Sequence, residues 1–255
     1  MNKLSIVIPT FNEKDNIRSL VKRIDDALAS VNHEILFVDD SRDETPMVLE
    51  EVSKENPRVK YIHRENEKGL ATAVLMGFRA ADGDYLACMD ADLQHPPEIL
   101  LPMYVALTKG ADMCIPSRLI PGGSDGGLNW YRKFISGSAR NIGKMLLPCL
   151  RPISDPTSGL FMFRKDIIDE ADMRPVGWKI MIEVLATSHF SSVTEIPYTF
   201  CERQSGESKI DKDATVQYLQ QCMDLRKRYI RNKITVTKWT TEQTDSYVKE
   251  FVSEK

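Results

Sequence analysis

Short apolar runs rich in β-branched residues alternate, over the first half of the chain, with stretches whose apolar positions recur every three or four residues. The run LSIVIP (4–9) predicts a strand. The segment Asp15 to Ser30 then sets Ile17, Leu20, Val21, Ile24 and Leu28 on one face of a helix, and EILFVDD (34–40) predicts a second strand. The alternation continues with a helix over 44–55, a strand at 59–63, a helix over 69–81, a strand at 85–90, a helix over 97–109 and a strand at 112–116. Repeated β-α-β units predict an α/β fold with a mostly parallel central sheet covered on both faces. In such a sheet, ligands sit at the carboxyl ends of the strands.

Beyond residue 116 the pattern changes. PGGSDGG (121–127) reads as a flexible loop, and residues 128–147 read as helical segments carrying Trp130, Tyr131, Phe134 and Ile135 among Arg132, Lys133, Arg140 and Lys144. That basic, aromatic and amphipathic stretch suits either packing on the sheet or contact with a membrane surface. After SDPTSGLFMFRK come a predicted helix over 178–188, a strand at 193–199 and a long charged helix over 213–232. The polar segment 234–255 reads as a loosely docked extension, which divides the chain into a main domain, 1–210, and a C-terminal helical extension with a polar tail, 211–255.

Composition narrows the picture without redirecting it. The 255 residues carry a formal net charge of -3, so no global basic field points to nucleic acid. Five scattered cysteines, Cys88, Cys114, Cys149, Cys201 and Cys222, form no C-x-x-C pair, and their odd number fits a reducing compartment better than a disulfide framework. MNKLSIVIPTFNE meets a proline and an acid before a signal-peptide core can develop, and no apolar run approaches the ~18 residues of a membrane span. A cytoplasmic protein is expected, or one held peripherally on the cytoplasmic face of a membrane.

Candidate chemistry falls where the sheet predicts a ligand. VDD ends the second strand and MDAD the fourth, so Asp90 and Asp92, one residue apart, should point the same way at its carboxyl end. Like charges so placed call for a cation, a shared proton or water. Aspartate also caps helices and starts turns, and either ending alone could be that. With Gln94 the pair offers hard oxygen ligands of the kind that suit Mg2+ or Mn2+, ions commonly completed by water and substrate phosphates. The four histidines show no zinc spacing, and His95 reads as a turn residue.

SIVIPTFNE, FVDDSRDET, MDADLQHPPE, DPTSGLFMFRK and RQSGESK, in that order over residues 4–209, together resemble the family-two inverting glycosyltransferases of the GT-A, Rossmann-like fold. The likeness is greatest to the dolichol-phosphate mannose synthase and polyprenyl-phosphate glycosyltransferase branch. It implies a metal-dependent enzyme that moves a hexose, mannose before glucose, from a nucleotide diphosphate sugar such as GDP-mannose or UDP-glucose to a polyprenyl (dolichyl or undecaprenyl) phosphate. Asp90, Asp92 and Gln94 would hold the metal, and Pro9, Phe11, Glu13 and Asp40 would frame the base and ribose. Bland alternatives stand beside these: Pro9 could end a strand, Phe11 could be core and Glu13 could cap the first helix. Family members commonly read D-D-x-S-x-D-x-T, whereas DDSRDET is one residue shorter around Ser41 and Asp43.

The same resemblance places Arg118, Arg132 and Ser136 on the donor diphosphate, with Asp92, Arg118 and Asp155 in the catalytic machinery. Arginine suits phosphate because its planar fork pairs with two oxygens. Arg203, Gly206, Ser208 and Lys209 form a basic, glycine-hinged R-x-x-G-x-S-K loop that the resemblance assigns to the acceptor phosphate. A monophosphate with a second pKa near 6 is largely dianionic at neutral pH and attacks without losing a proton first, so Asp155 would orient a partner rather than act as a base. The lipid acceptor implies a membrane surface or a membrane partner subunit. Two other readings remain: a saccharide or protein hydroxyl acceptor, which would need a carboxylate base, and a nucleotide-binding regulatory protein without turnover.

Overall fold

Eight strands form one sheet in the order β3-β2-β1-β4-β6-β5-β7-β8. They are β1 (Leu4–Thr10), β2 (His33–Asp39), β3 (Val59–His63), β4 (Tyr85–Cys88), β5 (Met113–Ser117), β6 (Phe161–Arg164), β7 (Ser192–Pro197) and β8 (Thr235–Lys238). The helices are α1 (Lys14–Ala27), α2 (Thr45–Glu55), α3 (Leu70–Ala80), α4 (Leu100–Thr108), α5 (Trp130–Leu146), α6 (Ile180–Thr187), α7 (Lys212–Arg228) and α8 (Thr241–Ser253). This computed structural model describes residues 2–127, 130–174, 177–201 and 212–255, without the side chains of residues 131, 132, 134 and 212–214.

The sheet is parallel except for β6, which runs antiparallel between β4 and β5. Strand alternation divides the core into two layers. Leu4, Ile6 and Ile8 of β1 face a layer with Ile17, Leu20 and Ile24 of α1 and with α4. Val7 faces the other, with Val74 and Phe78 of α3 and Val184 and Leu185 of α6. Helix α3 lies so close that a Cβ on Gly77 would fall 2.2 Å from a Val7 methyl, which restricts that position to glycine.

The predicted α/β architecture and the order of its elements hold through β5, with no end shifted by more than three residues. Three expectations need correction. Strand β4 stops at Cys88 instead of running to residue 90, so the strand alternation applied to Asp90 and Asp92 ends before it reaches them. FMFR, for which the sequence pattern predicts no element, is β6. Its phenylalanines are fully buried, Phe161 with Phe78 and Phe163 on one face and Met162 on the other. The tail is not loosely docked. Residues 235–238 add β8 in parallel to β7, and α8 lays Tyr247 and Phe251 against the core layer that holds Tyr104 and Trp239. A capping box between Thr240 and Gln243 starts α8.

Candidate active site

The carboxyl ends of β1, β2, β4, β5 and β7 and the amino end of antiparallel β6 lie along one edge of the sheet. Chemistry-bearing residues collect there from separate parts of the sequence. Pro9 pairs within β1, Asp40 follows β2, Asp90 follows β4, Arg118 follows β5 and Asp155 lies in the loop leading to β6.

On the β1–β2 side, hydrogen bonds tie two loops together. Ser41 Oγ accepts from the Asn12 N–H at 2.7 Å, and Thr45 Oγ1 accepts from the Glu13 N–H at 3.1 Å. Asp43 accepts from the backbone N–H and the hydroxyl of Thr45 at 3.0 and 2.6 Å, which turns the chain into α2. In the shortened DDSRDET motif, Ser41 and Asp43 therefore shape the loop. Glu13 occupies the N-cap position of α1 without a side-chain cap bond, and its Oε2 accepts from Asn16 Nδ2 at 2.7 Å. Phe11 is 38% exposed on this rim, so it is not core. The Asp40 carboxylate is forked by Arg64, with Nε and Nη2 each at 2.6 Å, and also accepts from the Gly69 N–H at 3.0 Å. Arg64 went unnoticed in the sequence because a single arginine after an edge-side strand carries no pattern.

Past β4 the chain turns sharply through Leu93, whose φ of 59° lies in the left-handed region that a branched side chain rarely adopts. That turn lets Asp92 Oδ1 accept from the Gln94 N–H at 3.1 Å and brings the Gln94 carbonyl to the Cys201 N–H at 2.8 Å. Gln94 Nε2 donates to the Cys201 carbonyl at 3.4 Å, so the amide oxygen is the atom of this side chain with the chemistry to ligate a cation. Gly159 backs onto Asp90, where a Cβ would stand 2.2 Å from Oδ2. Two carboxylates and an amide oxygen are a hard-oxygen set that fits Mg2+ or Mn2+. Among the described residues no group of three or more His, Cys, Asp or Glu forms a metal cluster, so a bound ion would depend on Gln94, water or substrate oxygens to complete its shell.

Arg118 is the hub of the opposite side. Its Nε stands 3.2 Å from Asp155 Oδ2, and its Nη2 donates to Ser136 Oγ at 3.0 Å. The guanidinium also lies 5.1 Å from the centre of the Phe200 ring, an aromatic face that favours a cation. Asp155 is 1% exposed and takes the Thr157 hydroxyl at 3.1 Å on its other oxygen, so it is a buried partner of Arg118. His95 lies in the bend that follows Asp92, as expected of a turn residue, and is buried there. It stacks on Tyr198 at 5.6 Å and meets Phe200 edge-on at 5.2 Å. Burial, together with the charges of Arg118 and Lys179, pushes its imidazole down to about 3, so it stays neutral.

Lys179 also reaches this site. Burial pushes its ammonium down to about 8, while the carboxylates of Asp90 and Asp155 pull the other way. Its Nζ donates to the Thr157 carbonyl at 2.6 Å. GWKIMIEV gave no hint of this, since a lysine before an apolar helix ordinarily faces water. Arg203, Ser208 and Lys209 lie outside the described residues, as does the side chain of Arg132.

The chain matches the model of the family described as Glycosyl transferase family 2 over residues 5–171. It is 43% identical over 226 residues to a dolichol-phosphate mannosyltransferase of Pyrococcus furiosus, covering 88% of this chain and 64% of that one. A polyprenol monophosphomannose synthase of Mycolicibacterium smegmatis is 35% identical, with 80% of each chain covered. Among solved structures, glucosyl-3-phosphoglycerate synthase of Mycobacterium tuberculosis, in complex with Mn2+, UDP and glucosyl-3-phosphoglycerate, superposes with a TM-score of 0.62. That likeness covers 88% of this chain and 78% of the other at 17% identity, so it speaks to the fold.

Proposed function

The chain belongs to glycosyl transferase family 2, in the branch of the dolichol-phosphate mannosyltransferases, and from that premise we propose that it transfers mannose from GDP-mannose to a polyprenyl phosphate with inversion. The observation that carries this reading is the convergence of Arg118, Ser136 and Asp155 beside Asp90 at the ligand-binding edge of the sheet. The names of the relatives supply the sugar and the lipid class. UDP-glucose stands second as donor, because the similar fold that carries UDP belongs to a distant relative.

Asp90, Asp92 and Gln94 would hold Mg2+ or Mn2+, and such an ion supplies charge neutralisation on a departing diphosphate. Arg118, fixed in orientation by Asp155 and Ser136, presents a planar cation to the same diphosphate. Pro9, Phe11, Glu13 and Asp40 form the rim assigned to the nucleoside. Because Asp155 is buried against Arg118, it orients that arginine. This suits an acceptor that is already dianionic and needs no base.

Arg203, Ser208 and Lys209 are assigned to the acceptor phosphate. Replacing Arg203 or Lys209 by alanine removes a charge-assisted contact worth roughly 1.5–3 kcal/mol, about one to two decades in acceptor affinity or rate. Titrating nucleotide sugar and a short polyprenyl phosphate separately on each variant tests the assignment. The loss is expected in the acceptor titration alone. Unchanged acceptor kinetics in both variants would return a hydroxyl acceptor to first place.

No helix among the described residues is long and apolar enough to cross a membrane. We assign attachment to the packed pair α5 and α7, which exposes Trp130, Met145, Val216 and Met223 among Lys133, Arg140, Arg226 and Lys227. Apolar side chains flanked by cations suit the headgroup region of an anionic bilayer.

A further inference from the structure

We infer that Lys179 is a positioning residue of the donor site, holding the loop from Asp155 to Gly159 against Asp90; the inference rests on the donor reading above. Four contacts define this loop. Asp155 meets Arg118 at 3.2 Å, Thr157 Oγ1 donates to Asp155 at 3.1 Å, the Thr157 carbonyl receives Lys179 Nζ at 2.6 Å, and the side of Gly159 that a Cβ would fill faces the Asp90 carboxylate. One short segment thus touches both the arginine assigned to the diphosphate and an acid assigned to the metal. The Lys179 bond falls between the two.

The lysine is itself held. Gln221 of α7 donates from Nε2 to the Lys179 carbonyl at 3.3 Å, and the ammonium sits 4.0 Å from the centre of the Trp178 ring. Burying an ammonium is costly unless it is paired and hydrogen-bonded. Here the Thr157 bond and the nearby charges of Asp90 and Asp155 offset that cost. A lysine needed only for solubility would extend into water, as its four-carbon stem allows. Without that latching bond the Thr157 carbonyl loses its Lys179 donor, and the loop that carries Gly159 can move away from Asp90.

The test uses Lys179→Met and Gly159→Ala, singly and combined. Calorimetric binding of GDP or UDP with Mn2+ is measured beside kcat, KM and melting temperature. Lys179→Met is expected to weaken metal-dependent nucleotide binding about tenfold, the lower end for residues that orient metal ligands, and to lower kcat. The melting temperature separates a loss of fold from a loss of binding. Gly159→Ala disturbs the same contact from its other end, so the double variant should be no worse than the poorer single one. Lys179→Arg, which returns N–H donors and charge, should recover part of the affinity. Lys179→Gln keeps an N–H donor without the charge and replaces the methionine variant if that one does not fold, read by the same criteria. Wild-type protein that binds neither nucleotide with Mn2+ would remove the donor reading itself. Wild-type protein that binds, beside a folded Lys179 variant with unchanged affinity and kcat, would overturn the latch, and so would multiplicative losses in the double variant.

Discussion

Asp155 and Asp92 are both buried acids on the ligand edge, yet their partners give them different tasks. Asp92 accepts a backbone N–H from Gln94, which holds its carboxylate against the turn that follows it. Asp155 is tied to Arg118 and Thr157. Asp155→Asn keeps an oxygen for the Arg118 Nε, so turnover is expected to stay within about tenfold of wild type, whereas loss of a general base costs roughly 10²–10⁴. Steady-state rates across pH decide this, and a larger loss with a missing acidic limb would argue for a base. Asp90, Asp92 and Gln94 stand out in the sequence as candidates because two acids just past an apolar run form a local pattern. Lys179, Arg64 and His95 do not. Each gains its role from a neighbour distant in sequence: Thr157 for Lys179, Asp40 for Arg64, and Tyr198 and Phe200 for His95.

Elements with a strong internal period were the readable ones. Helix α1 buries Ile17, Leu20, Val21 and Ile24, four of the five positions its spacing singled out on one face, and Leu28 just beyond it is buried too. Strand β8, with the sequence TVTK, was missed because its side chains are mostly exposed at the sheet edge and it is held by backbone pairing to β7. Helix α8 buries little besides Thr244 completely, so its apolar stripe is thin against a polar background. Helix α5 has the opposite character, carrying more exposed apolar surface than packing needs. Trp130 is 78% and Met145 66% exposed on it. Replacing both by serine should reduce the affinity for anionic liposomes read by co-sedimentation by about a hundredfold or more, as expected when roughly 1.5–3 kcal/mol is lost for each of the two large apolar side chains kept from the bilayer. Folding and activity on a detergent-soluble short acceptor should be kept. Wild-type protein that does not sediment with liposomes would instead favour a membrane partner protein.

At the scale of the whole molecule, the sheet separates its tasks between two edges. The edge proposed to take ligands gathers Asp40, Asp90, Asp155 and Arg118. On the opposite side a buried ion cluster closes the fold, with Glu34 accepting from Lys3 at 2.7 Å, from the Ser5 hydroxyl at 2.6 Å and from the Asp82 N–H at 2.8 Å. Burial alone would raise the Glu34 carboxyl, but these donors and Lys60 bring it down to about 2. A depressed acid stabilises the fold above its unfolded pKa, and that contribution is lost as pH falls through the folded value. Stability on the order of 3 kcal/mol should therefore drain between about pH 4.5 and 2, and Glu34→Gln should flatten that part of an acid-unfolding curve followed by circular dichroism. An unchanged curve would mean the cluster is already broken in solution. The central claim concerns the other edge and is tested most directly by one assay. GDP-mannose, UDP-glucose and related donors are offered with a short polyprenyl phosphate, with Mn2+ or with excess chelator, and the lipid product is identified by mass and anomeric configuration. The account predicts an inverted mannosyl phosphate lipid from GDP-mannose, formed with Mn2+ and abolished by chelation. Transfer to a sugar or protein hydroxyl while the lipid phosphate stays untouched, or full turnover in chelator, would contradict it.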